Sequence, residues 1–203
     1  LGQPLSFTVA PVITATARAF SGGITQNYTG TLMRMSNASL TGRSYAPTPA
    51  SPALDVSGLP ATSSDPVIAD QTGGVVTLTF GSGSGLKFSR SSVIAPFNAN
   101  LSLSINVIDL DGASAANPVI FGSGTGMAFS TGSVQRYGRL ALRNAVGSEL
   151  LDLPVPLTTQ YYLNSSVGFV TNTDDVCTTA PAIAFGNYQS ALAAGETCVR
   201  DSG

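Results

Sequence analysis

The sequence contains no histidine and no tryptophan. Without histidine there is no Ser-His-Asp triad, no Cys-His pair and no histidine-ligated metal. Lys87 is the only lysine, and charged residues are 10% of the 203-residue chain, against about a quarter in ordinary soluble domains. The arginines stand singly, at Arg18, Arg34, Arg43, Arg90, Arg136, Arg139, Arg143 and Arg200. A surface that neutralises phosphates or grips an anionic membrane needs them clustered, so nucleic acid is rejected as a partner. Glu149 and Glu196 are the only glutamates, so a two-carboxylate hydrolase would have to be built from aspartates. The aspartate pairs Asp109/Asp111 and Asp174/Asp175 sit in no catalytic signature, and the expectation is that the chain is not an enzyme. No apolar run approaches the roughly 20 residues that span a bilayer, so no membrane insertion by this segment is expected. The start, Leu1-Gly2-Gln3-Pro4, has neither a charged nor a hydrophobic signal region, so the chain reads as an internal piece of a longer exported protein.

What is present is short and β-like. Hydrophobic residues are 43% of the chain, and Ser, Thr, Asn and Gly carry most of its polarity. That balance is common in secreted β-rich adhesive and structural proteins. Short β-branched runs separated by turn residues dominate, and helical periodicity is nearly absent. Ser6–Val9, Ile13–Phe20 and Thr31–Met35 read as strands. In Val75–Phe80, Val76, Leu78 and Phe80 alternate onto one face. In Leu101–Val107, Leu101, Leu103, Ile105 and Val107 share a buried face, with Ser102, Ser104 and Asn106 on the wet one. Leu140 and Leu142 oppose Arg139 and Arg143. Pro154–Tyr162 and Gly168–Thr171 complete the strands, and Tyr161 and Tyr162 alternate, one inward and one outward. The proline-rich Thr48–Asp70 reads as a long loop or short extended pieces, either a plain surface excursion or a recognition or glycosylated loop. The glycine stretches at Gly81–Gly85 and Gly122–Gly126 read as hairpin turns, since neither ends in the Gly-Lys-Ser/Thr of a phosphate loop. The expected fold class is all-β: antiparallel immunoglobulin-like β-sandwich modules, two in tandem, at 1–108 and 113–203. A single fused sandwich is the alternative.

Two candidate sites come from the residues alone. Asp109-Leu110-Asp111-Gly112 resembles the opening of a calcium loop but lacks its further ligands; the alternative is a turn whose carboxylates cap backbone N–H groups. Cys177 and Cys198 form an even pair, and in a secreted β-protein that argues for a disulfide. It would close a loop of about 20 residues and stabilise by roughly 3 kcal/mol. Two free thiols are the alternative, and a metal site is disfavoured.

Residues 136–177 carry a family resemblance. The pieces are Arg136–Leu142 (RYGRLAL), Asn144–Leu151 (NAVGSELL), Leu153–Leu157 (LPVPL), the pair Tyr161-Tyr162, and Asn172–Cys177 (NTDDVC). Weaker collinear pieces are Asn27–Gly30, Ala95–Phe97 and Asp109–Gly112. In order and spacing they resemble the C-terminal domain of unknown function of MSHA (mannose-sensitive haemagglutinin) pilus biogenesis proteins of the MshQ type. The resemblance implies an extracellular or cell-surface, pilus-associated place in a Gram-negative bacterium, and a chain that continues past Gly203. It supplies no chemistry. It draws attention to Asn172, Asp174 and Asp175, whose oxygens suit calcium or a sugar hydroxyl, or equally an Asx-turn beside Cys177. Arg136, Tyr137, Arg139 and Tyr162 form a candidate binding surface; Arg139 and Arg143 could instead pair with Glu149 and Asp152.

The function expected is therefore a non-enzymatic structural or adhesive module of a pilus-associated surface protein. It needs no cofactor, and its partners are pilus or other cell-surface proteins. Two alternatives stand beside it. One is a calcium- or carbohydrate-binding adhesion module, with a glycan as partner. The other is a self-associating filament or stalk subunit that pairs β-edges.

Overall fold

The computed structural model describes residues 1–81, 85–115, 117–147, 151–176, 178–179 and 186–187. Among them the chain is all-β and antiparallel. The strands in chain order are β1 (Val12–Thr16), β2 (Thr41–Thr48), β3 (Leu54–Asp55), β4 (Val67–Asp70), β5 (Val75–Thr79), β6 (Lys87–Phe88) and β7 (Phe97–Asn98). They continue as β8 (Asn100–Asn106), β9 (Val119–Phe121), β10 (Val134–Gln135), β11 (Gly138–Leu142), β12 (Leu157–Asn164) and β13 (Gly168–Thr171). Two three-stranded sheets, ordered β1-β5-β4 and β2-β8-β9, are accompanied by the pairs β3-β6 and β7-β10 and by a third sheet, β11-β12-β13.

Alternation explains the sandwich. On β5, Val76 and Leu78 are buried with the following Phe80, and on β8, Leu101, Leu103 and Ile105 are buried with the following Val107. Residues between them are half-exposed. Ile13, Val76, Leu78 and Phe80 from one sheet thus meet Leu103, Ile105 and Val107 from the other in a single cluster. A second cluster joins Leu5, Phe7, Leu86, Phe88, Ala99, Leu101 and Phe129. There the Phe7 and Phe129 rings stack at 5.6 Å, and Phe88 meets Phe97 edge-on at 5.3 Å. Tyr45 and Met127 pack against both clusters. Burying a leucine side chain fully contributes about 1.5–3 kcal/mol.

Two local devices set the registers. Between Thr41 and Ser44 the β2–β8 pairing shifts by a bulge, with Gly42 at φ +63, the conformation such a bulge asks of its first residue. Gly122 ends β9 at φ +69, where an added Cβ would lie 2.7 Å from the Leu101 carbonyl oxygen. Only glycine allows the chain to turn that close to β8.

Several segments differ from expectation. The strand expected over Ile13–Phe20 ends at Thr16, and the one expected over Pro154–Tyr162 runs Leu157–Asn164. Thr31–Met35 is not a strand: Gly30–Leu32 is a single 3-10 turn, because the Asp70 carboxylate takes both the Thr29 hydroxyl and the Gly30 N–H. Ser6–Val9 makes a single bridge rather than a strand, Phe7 with Phe129, and Leu5 just before it bridges Leu86. Leu140 and Leu142 on β11 are exposed, whereas Ala141 between them is half-buried.

The chain divides into two compact units, one of Leu1–Gly138 with Tyr162–Phe169, the other of Arg139–Tyr161 with Val170–Gly203. Where the sequence placed a boundary, at 108–113, the structure has a turn inside the first unit. Beyond it β9 pairs with β8, and Phe129 joins the second cluster.

The Leu103→Ala variant is expected to lose about 2–5 kcal/mol, because it opens a cavity between two sheets that cannot collapse onto it. Ser104→Ala, one residue on and on the opposite face, is expected to cost less than about 1 kcal/mol. Urea unfolding of both variants measures the contrast; equal losses would mean that β8 does not bury the face assigned to it.

Candidate functional site

Asp109 lies past the end of β8 and is 8% exposed. Its Oδ1 accepts the Asp111 N–H at 3.0 Å and the Ala113 N–H at 2.8 Å. Its Oδ2 accepts the Tyr28 hydroxyl at 3.2 Å. Burial raises the Tyr28 phenol above its ordinary range, and the neighbouring Asp109 carboxylate adds to the rise against an opposing backbone hydrogen bond with Arg34. The phenol therefore stays protonated and able to donate. Asp111 is exposed and pairs with Arg34 at 3.4 Å, a contact that stabilises by less than about 1 kcal/mol. The segment is a capped turn. Calcium wants several converging oxygens, and here Asp109 Oδ1 serves the turn's N–H groups while Oδ2 takes the Tyr28 hydroxyl. Among the described residues no three acidic or thiol groups gather as a metal would require.

The same use of carboxylates recurs at positions that sequence reading did not single out. Asp65 is 5% exposed. Its Oδ2 meets Arg43 Nη1 at 2.6 Å, its Oδ1 accepts the Gly81 N–H at 2.7 Å, and its carbonyl oxygen accepts Arg43 Nη1 at 3.0 Å. Asp70 accepts the Thr29 hydroxyl at 2.6 Å and the N–H groups of Gly30 and Thr72 at 2.7 and 2.8 Å. Those bonds, the Thr29 hydroxyl foremost, hold its carboxyl below the ordinary value of 3.8. Asp55 is lowered in the same way, first by its hydrogen bonds with Ser57 and then by Lys87, its cross-strand partner at 3.4 Å. Asp70-Gln71-Thr72-Gly73-Gly74 carries a turn signal in sequence. Its partner Thr29, 41 residues away, leaves none.

In the second unit, Asn172 continues the edge of β13. Its N–H donates to the Thr159 carbonyl oxygen at 2.8 Å, and its own carbonyl oxygen accepts the Thr159 hydroxyl at 3.1 Å. Asp175 accepts the Thr178 N–H at 3.0 Å and the Thr178 hydroxyl at 2.6 Å. Asp174 is exposed. On β11, exposed Arg139 donates from Nε to Gln160 Oε1 at 3.0 Å. Glu149, one of its expected acidic partners, lies outside the described residues, as do Cys177 and Cys198 with the disulfide expected between them.

Tyr137 and Tyr162 belong to the first unit and are brought together there through Phe169. Phe169 stands edge-on to both, at 6.3 Å from Tyr137 and 5.5 Å from Tyr162. The Arg90 guanidinium lies 4.7 Å over the Tyr137 ring. One face of Tyr137 is thereby covered by a cation rather than open to a sugar. Arg136 beside it is half-buried, and Tyr161 and Tyr162 are both half-buried rather than one inward and one outward. Arg90 and Phe169 were not foreseen; nothing local in sequence links them to Tyr137.

A family model described as DUF6701, third domain, matches residues 1–135, and one described as DUF6701, fourth domain, matches residues 136–202. No curated protein and no solved structure matches the chain.

Asp65→Ala leaves Arg43 with an uncompensated buried charge and is expected to cost about 3–5 kcal/mol, against less than about 1 kcal/mol for exposed Asp111→Ala. Denaturant titration separates them. For Asp55 and Asp70 the folded carboxyl is the stronger acid. Their contribution is therefore complete well above the ordinary 3.8 and is lost as pH falls through the lower folded value. Asp70→Asn should flatten that acid limb of the stability curve; an unchanged limb would mean that Asp70 is not held as described.

Proposed function

The chain belongs to the DUF6701 family, and we propose that it is a non-enzymatic structural and adhesive module of a bacterial cell-surface protein, associated with a pilus of the MSHA type. The observation that carries this reading is the employment of the acidic residues. Asp65, Asp70, Asp109 and Asp175 each hold N–H or hydroxyl donors of a turn. These four carboxylates, two of them among the candidate ligands, are thus holding loops. The low-charge, Ser/Thr-rich surface and the likeness of residues 136–177 to MshQ-type domains support the extracellular, pilus-linked part of the proposal. Among the described residues no helix is long and apolar enough to cross a membrane.

An antibody raised against this chain is expected to label intact cells that make the parent protein. The antigen should also follow the pili when these are sheared from the cells. Antigen confined to the cytoplasm would sink the surface reading. Surface antigen that stays wholly with the cells after shearing would remove the pilus from it.

A further inference from the structure

We propose that β1 pairs edge to edge with β1 of a second copy of this chain, antiparallel and centred on Thr14, joining two β1-β5-β4 sheets into one. The two sheets of the sandwich end in four edge strands, β1 and β4 in one, β2 and β9 in the other. A free edge offers a row of N–H and C=O groups to another strand, and natural sheets blunt their edges against this. Three of the four edges here are blunted. β2 carries the bulge at Gly42–Arg43, Pro47, and Arg43 drawn in to Asp65. β9 is three residues long and follows Pro118. On β4, Asp70 holds the turn at Thr29-Gly30, and Pro66 precedes the strand. β1 reads Val-Ile-Thr-Ala-Thr, with no charge, no proline and no bulge along its ladder with β5.

The backbone direction decides which groups are free. The Phe80 N–H donates to the Pro11 carbonyl oxygen at 3.0 Å, and the Ala17 N–H donates to the Gly74 carbonyl oxygen at 2.8 Å. Alternate residues of a strand turn their backbone groups to opposite sides. Ile13 and Ala15 therefore bond toward β5 as Pro11 and Ala17 do, while Val12, Thr14 and Thr16 turn theirs to the open edge. Among the described residues no hydrogen bond reaches that edge. The strand is also complementary to itself. Antiparallel pairing about Thr14 sets Thr14 against Thr14 and exposed Val12 against exposed Thr16. On the core face it sets bulky Ile13 against small Ala15, and both already pack in one cluster. About six backbone hydrogen bonds form. Arg18, the nearest charge, falls opposite Ala10, so no like charges meet. The N–H that Pro11 lacks belongs to the β5 side, so the new ladder loses nothing by it. The contact is isologous and closes as a dimer rather than growing into a filament. So small an interface is weak, and a Kd of about 0.1 mM is expected.

This inference gives the β-edge alternative one strand and one partner. It goes beyond the proposed surface role, which stands for a monomer and a dimer alike. The test is sedimentation equilibrium of the whole chain up to about 1 mM, where a monomer–dimer equilibrium is expected. Thr14→Lys and Thr14→Glu each place a charge directly opposite its own copy, and each is expected to weaken the dimer about fivefold. An equimolar mixture of the two variants is expected to recover it, because the charges then oppose in sign. Val67→Lys, exposed on the β4 edge, is expected to dimerise like the parent. Hydrogen exchange of the parent needs no substitution: the Val12, Thr14 and Thr16 amides are expected to slow as concentration rises. A parent that stays monomeric to about 1 mM overturns the proposal. So does a dimer that both Thr14 variants leave unchanged, a mixture that fails to recover it, or exchange at those three amides that ignores concentration.

Discussion

The inward face of β8 is the constraint on which the first unit depends. Leu101 reaches one core cluster, and Leu103, Ile105 and Val107 fill the other. The same strand pairs with β2 on one side and β9 on the other. A slip of one residue would turn every one of these side chains to water, so the register of three strands and the contents of two clusters are set together. The bulge at Gly42–Arg43 belongs to the same constraint. It absorbs an extra residue of β2 while Arg43, Tyr45 and Pro47 stay on the half-buried side, and it leaves Arg43 within reach of Asp65.

A chain with so little charge uses each carboxylate for a particular task. The sandwich fixes its strands by burial, but the loops between them carry few apolar side chains and need another restraint. An aspartate that accepts two or three hydrogen bonds supplies it. Asp65 ties the end of the proline-rich loop to β2 and to Gly81. Asp70 ties the 29–30 turn to the β4–β5 connection. Asp109 closes the turn after β8 and takes the Tyr28 hydroxyl. One member of each acidic pair that resembles a ligand set in the sequence, Asp109 and Asp175, accepts backbone N–H groups of a local turn.

The alternation in Val75–Phe80 and Leu101–Val107 was legible because a half-buried antiparallel strand writes its period into local sequence. The all-β class and the turn at Asp109–Gly112 were legible for the same reason, since both are fixed by neighbours. What was hidden depends on distant partners. Arg43 meets Asp65 across 22 residues and Thr29 meets Asp70 across 41. The strand expected at Thr31–Met35 gave way to a carboxylate on another strand. Arg90 over Tyr137 is likewise a product of folding, and no motif announces it.

The central claim is that the acidic groups serve the fold rather than a metal, and a thermal melt of the whole chain with excess calcium and with EDTA tests it most directly. The account predicts the same midpoint in both. A ligand present at 100 times its Kd stabilises by about 2.7 kcal/mol, which in a chain of this size raises the midpoint by several degrees. A calcium-dependent rise of that order, abolished by EDTA, would contradict the account and return the aspartates to ligand chemistry.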